Sequence, residues 1–151
     1  MKSTTNGSEN GNGSAHDMDL VEILKNDDRV QVAGVDSDGQ LRGKVMAKEK
    51  FLSILDSGFG MSSAMFGWDM HDEVFADNSK NTITSAETGY ADFTSVVDKL
   101  SMRRLPWAGN MPFFLLRFTA NNKPVSACGR GLLSTLSETL AASGCKAVAG
   151  G

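Results

Sequence analysis

Apolar and polar positions change period along this chain, and each change marks an expected element. In 19–25, Leu20, Ile23 and Leu24 share one helical face behind Asp19, whose carboxylate suits a helix start, so a short helix is predicted. Residues 29–35 (RVQVAGV) alternate as a strand does. Asp36-Ser37-Asp38-Gly39 supplies turn chemistry, and 40–47 resumes the extended pattern, so the two predict a hairpin. Helical spacing returns over 48–56 through Phe51, Leu52 and Leu55, with Gly58 as the stop. Residues 78–88 are polar and rich in turn formers and read as irregular, while 89–98 alternates in part and reads as a strand. Pro106 lacks an amide donor, which makes 101–107 a bend rather than a central strand, with Trp107 as a packing anchor. The most apolar run, 112–118 (PFFLLRF), has the length of a buried strand. A turn at 120–124 leads to a helix over 130–143, striped by Leu132, Leu133, Leu136 and Leu140 and closed by Gly144. Residues 146–149 read as the opening of another strand.

One stretch concentrates chemistry. Between Ser62 and Val74 the apolar residues Phe66, Trp68, Met70 and Val74 alternate with Asp69, His71 and Glu73. That period of two predicts an extended segment with one apolar and one polar edge, approached through Ser57-Gly58-Phe59-Gly60. Two readings stand side by side: an exposed loop anchored by its aromatics whose acids are merely solvated, and a loop that delivers a carboxylate to a reaction site.

Composition narrows the class. The chain has 151 residues, 40% of them hydrophobic and 22% charged, which suits one domain or a small domain with an extension. A net charge of −3 offers no footprint for nucleic acid or an anionic membrane. No apolar run reaches the roughly 20 residues of a spanning helix, and the amino terminus lacks the apolar stretch of a signal peptide, so a cytoplasmic protein is expected. Cys128 and Cys145 have no CxxC spacing and read as free thiols, and two distant histidines argue against a zinc site. Residues 1–17 are dominated by Gly, Ser, Asn and Thr, a composition that predicts a disordered tail in which His16 is inert.

The predicted order of hairpin, helix, loop and strands fits an α+β domain of β-grasp type. Here the residues resemble a family. Val35-Asp36 through Gly39 with Leu41-Arg42-Gly43-Lys44-Val45 is similar to the first hairpin of the amino-terminal domain of glutamine synthetases, and Phe66-Gly67-Trp68-Asp69 looks class I-like. Gly89-Tyr90-Ala91-Asp92, Arg104-Leu105-Pro106-Trp107, the strand at 112–118 and Cys128-Gly129-Arg130-Gly131 opening the leucine-striped helix resemble that family's further landmarks, in the same order. The resemblance covers about residues 20–151. It implies a glutamate–ammonia ligase of nitrogen metabolism that uses ATP and Mg²⁺ or Mn²⁺ in an oligomeric ring. There the amino-terminal domain inserts an acidic loop into the catalytic domain of the neighbouring subunit. By position Asp69 is the first candidate for the ammonium-binding carboxylate and Asp72 the second. The implied organisation is a tail at 1–17, a β-grasp domain at 18–119 and the start of an incomplete catalytic domain at 120–151. The family's metal-binding glutamates and ATP site are expected beyond that point, so no metal or nucleotide is expected to be held by this chain alone, and it is expected to be inactive by itself. Three alternatives follow from that departure: a shortened ligase, a ligase half completed by a separate chain, and a non-enzymatic β-grasp module that docks on a full-length family member.

Overall fold

The structure, a computed structural model, describes residues 19–74 and 83–148. The expected tail at 1–17 with His16, residues 78–82 of the polar stretch, and the terminal glycines lie outside the described residues. The fold is α+β: the described residues form one mixed sheet of seven strands with three α-helices.

Helix α1 (Leu20–Ile23) starts where Asp19 Oδ1 accepts from the N–H groups of Val21 and Glu22, at 3.1 and 3.2 Å. Strands β1 (Arg29–Val35) and β2 (Leu41–Ala47) form the expected antiparallel hairpin, from Arg29 opposite Ala47 to Val35 opposite Leu41. Helix α2 (Lys48–Ser53) follows at once and ends where Gly58, at φ +71°, donates to the Ile54 carbonyl at 2.8 Å. A Cβ on Gly58 would lie 2.6 Å from the Ser95 carbonyl oxygen, so both its backbone angle and its space require glycine.

Strand β6 (Met111–Ala120) is the centre of the sheet. It pairs in parallel with β1 and antiparallel with β4 (Asp92–Val97). Its two ends also pair with β5 (Arg103–Leu105) and β7 (Lys123–Pro124). Strand β3 (Phe59–Ser62) flanks β4, giving the order β2-β1-β6-β4-β3. Although β2 and β3 stand at opposite ends of that order, the Lys44 ammonium lies 4.6 Å from the centre of the Phe59 ring, so the sheet curls until its two edges approach.

Alternation along β6 sorts its side chains. Phe114, Leu116 and Phe118 are fully buried with Leu24, Val30, Val32 and Phe51, and the Phe51 and Phe114 rings are 4.7 Å apart. Phe113 faces the other way, against Ala33 and Leu105. Helix α3 (Gly129–Ala142) is tied to the core at its start by buried Cys128 and Gly131, and beyond them its leucines stand in solvent.

Three expectations are corrected. Lys146 to Val148 form no strand, since no neighbouring edge pairs with them. Residues 103–105 do form a short strand ahead of the bend, because they meet the end of β6. Trp107, in a 3-10 turn (Pro106–Ala108), is 83% exposed and anchors nothing, because Pro106 and left-handed Gly109 swing that turn outward.

Candidate functional site

The acidic stretch grows out of the core. A 3-10 turn (Ser63–Phe66) is buried throughout. Ser62 Oγ accepts from the Ala64 N–H and donates to the Tyr90 carbonyl, Ser63 Oγ donates to Thr84 Oγ1 at 3.1 Å, and Phe66 sits edge-on to Phe118 with ring centres 5.4 Å apart. The chain then leaves the core as a tight hairpin. Trp68 bridges Val74, the Asp69 N–H donates to the Glu73 carbonyl at 2.9 Å, and the Asp72 N–H donates to the Asp69 carbonyl at 3.2 Å.

This corrects the extended reading of 62–74. Of its supposed apolar edge, Phe66 is buried and Trp68 half-buried, while Met70 and Val74 are exposed. The cause is Asp69. Its Oδ1 accepts from the N–H groups of His71 and Glu73, at 2.7 and 3.0 Å, and so folds the backbone around its own side chain. Asp72 takes φ +65° to close the turn, a conformation that aspartate tolerates better than most residues.

The two candidate carboxylates end in different states. The N–H groups of Glu73 and His71 hold the Asp69 carboxyl below the usual carboxylate range. Among the described residues its second oxygen has only the His71 Nδ1 nearby, at 3.7 Å, and the side chain is 34% exposed. Acceptor capacity therefore remains on Asp69. Asp72 is more exposed, but its carboxylate is already paired with Arg42.

Arg42 is the residue whose role the sequence did not reveal. Buried Asp36 accepts from the N–H groups of Asp38 and Gln40, both at 2.9 Å, and its other oxygen receives Arg42 Nε at 2.7 Å. From that anchor the guanidinium donates to the Asp69 carbonyl at 2.8 Å, pairs with Asp72, and lies 5.6 Å from the centre of the Trp68 ring. One side chain on β2 thus joins the first hairpin to the acidic one. An arginine six residues after a turn aspartate was the only signal available, and on an alternating strand it reads as a solvated charge. Beside the loop, a groove of about 610 Å³ is lined by Trp68, Asp72, Arg42, Lys44, Met61 and Met65, among others.

Divalent metal fits this site poorly. Mg²⁺ or Mn²⁺ needs a shell of oxygens that includes carboxylates. Among the described residues no three acids, histidines or cysteines converge, and the carboxylates of Asp36 and Asp72 are engaged with Arg42. Cys128 and Cys145 are both free, the first buried and capping α3 through Sγ, the second exposed. No helix among the described residues is long and apolar enough to cross a membrane.

Comparison with known proteins agrees in one direction. No family model matches the chain. It is 38% identical over 122 residues to type-1 glutamine synthetase 2 of Dictyostelium discoideum, covering 80% of this chain and 23% of that protein. It is 32% identical over 111 residues to glutamate–isopropylamine ligase of a Pseudomonas species, covering 72% of this chain and 23% of that protein. The chain therefore spans about a quarter of the length of the curated relatives it matches. In fold it is similar to the GmaS–ADP complex in conformation 1, with a TM-score of 0.61 at 19% identity over 83% of this chain and 26% of that one. It is similar too to a novel glutamine synthase homologue, with a TM-score of 0.62 at 22% identity over 76% of this chain and 27% of that one.

Proposed function

Since this chain belongs to the glutamine synthetase family, whose amino-terminal region it matches, we propose that it serves as the amino-terminal domain of a ligase joining ammonia, or a larger amine, to glutamate. In this reading the domain is of β-grasp type and occupies 18–119, and α3 opens the catalytic region. The hairpin at 69–73 enters the active site of a neighbouring subunit in a homo-oligomer. ATP and Mg²⁺ or Mn²⁺ belong to the catalytic region; no described residue of this chain is assigned to hold them.

The observation that carries the reading is the state of Asp69. A carboxylate kept ionised by its own backbone, whose second oxygen is met among the described residues only by His71 Nδ1 at 3.7 Å, on a turn braced from the core, is suited to attract an ammonium ion. A carboxyl held below its usual range is a weak base, so the role its state supports is holding the cation rather than taking its proton. Asp72 suits this task less, because Arg42 already neutralises it.

The test replaces the matched region of the Dictyostelium relative with this chain and assays the chimera with ATP, Mg²⁺, glutamate and ammonia. Asp69→Ala is expected to raise the KM for ammonium by about 10- to 150-fold, the range for losing a charged acceptor, with the KM for glutamate little changed. A collapse in Asp72→Ala alone moves the role to Asp72, and no effect of either variant sinks the reading. The 151-residue chain by itself is expected to form no glutamine above background, and measurable synthesis by it would overturn the division of labour proposed here.

A second reading, a non-enzymatic module docking on a full-length family member, is favoured by one observation: the leucine face of α3, with Leu133 65% exposed, is available for a partner.

A further inference from the structure

We propose that Arg42 is a positioning residue whose three-way guanidinium fork braces the acidic hairpin, folded around Asp69, against the first hairpin and leaves Asp69 as its available carboxylate. This rests on the ammonium-site reading for its catalytic consequence, but its structural core does not.

Among the described residues, the hairpin's other polar ties are internal to it. Met70, His71, Asp72, Glu73 and Val74 are all exposed, and a short isolated hairpin held only by its own bridge and turn bonds is marginal in water. Arg42 supplies what the turn lacks. Its Nε is fixed by buried Asp36, so the plane of the guanidinium is set before it meets the loop. One terminal nitrogen donates to the Asp69 carbonyl, the other pairs with Asp72, and the face lies near the indole of Trp68. The pairing with Asp72 also removes a competing negative charge next to Asp69. A lysine carries the same charge on a flexible stem but cannot present three directed donors in one plane. The fork, not the charge, is therefore the device.

The chain contains two tryptophans, so Trp107→Phe leaves Trp68 as the sole reporter. In that background Arg42→Ala is expected to shift Trp68 emission to the red, roughly double its acrylamide quenching and speed cleavage after Glu73 by about tenfold. Arg42→Lys is expected to behave like Arg42→Ala. Unchanged emission and cleavage in Arg42→Ala overturn the proposal, and full recovery in Arg42→Lys overturns the fork. If Arg42→Ala fails to fold, Asp72→Ala alters only the exposed end of the same contact and is expected to loosen the loop to a smaller extent; a loop as tight as wild type overturns the proposal. In the chimera, Arg42→Ala is expected to raise the KM for ammonium with kcat within about twofold, the signature of lost binding. A loosened loop with an unchanged ammonium KM keeps Arg42 as the loop's positioning residue and sinks the ammonium reading instead. A raised KM with an unaltered loop overturns the positioning role.

Discussion

Arg104 meets Asp27 through both terminal nitrogens, each 2.8 Å from a carboxylate oxygen, and also donates to the carbonyls of Ile23 and Asn110. The pair ties the α1–β1 connection to β5, and the Arg104 hydrogen bonds hold the Asp27 carboxyl below its ordinary value against the opposing effect of burial. Asp27→Asn is expected to cost about 1.5 kcal/mol at neutral pH, at the low end for charged hydrogen bonds because Arg104 stays partly exposed. The sign with pH is fixed by the lowered pKa. The stabilisation is complete above the unfolded carboxyl value of 3.8 and is lost as pH falls through the lower folded value. Urea titrations at pH 7, 5 and 3 should show a gap between wild type and variant that persists at 5 and narrows at 3. A gap that widens on acidification would contradict this assignment. At this scale the sequence was partly legible. Asp19 as a cap and Gly58 as a helix stop follow from local chemistry and appear where expected. Trp107 and Arg42 do not follow from it, since an anchor and a clamp depend on what lies across the fold.

Elements with strong local patterns were the legible ones: β1 and β2, the helical stretches that became α2 and α3, and the apolar run that became β6. The short strands were not. Strand β3 is Phe59-Gly60-Met61-Ser62, in which only Phe59 favours a strand, and it is extended because β4 lies beside it. Strand β5 exists because β6 offers a free end. The acidic hairpin shows the opposite failure: a regular alternation that one side chain's hydrogen bonds overrode. The weight placed on β6 gives a clear expectation. Phe114 is fully buried between the sheet and Phe51, so Phe114→Ala should cost about 3–5 kcal/mol through lost burial and the cavity left behind. Chemical denaturation would measure it, and a loss under about 1 kcal/mol would mean that β6 is not the core strand described.

For the whole molecule, the class and the family were legible because several short motifs occur in one order, a signal that no single motif carries. Strand order was not legible, since it depends on pairings between distant segments. The leucine face of α3 sets how the chain behaves in solution. Leu132, Leu133, Leu136 and Leu140 are all exposed along one helix, and such a patch favours association. The purified chain is expected to bind a hydrophobic dye and to scatter light above its monomer mass, and Leu133→Lys with Leu136→Lys is expected to reduce both signals. A monomeric wild type without dye binding would count against this. The parallel pairing of β1 with β6 has a consequence in time rather than in space. Gln31 meets Phe113 about eighty residues later in the chain. On a ribosome the first hairpin and α2 emerge early, yet the strand that joins them to the rest follows only about eighty residues later. Closing so long a loop before its contacts form is entropically slow. The nascent hairpin therefore waits with one edge unpaired, and the step that commits this chain to its fold is the arrival of β6.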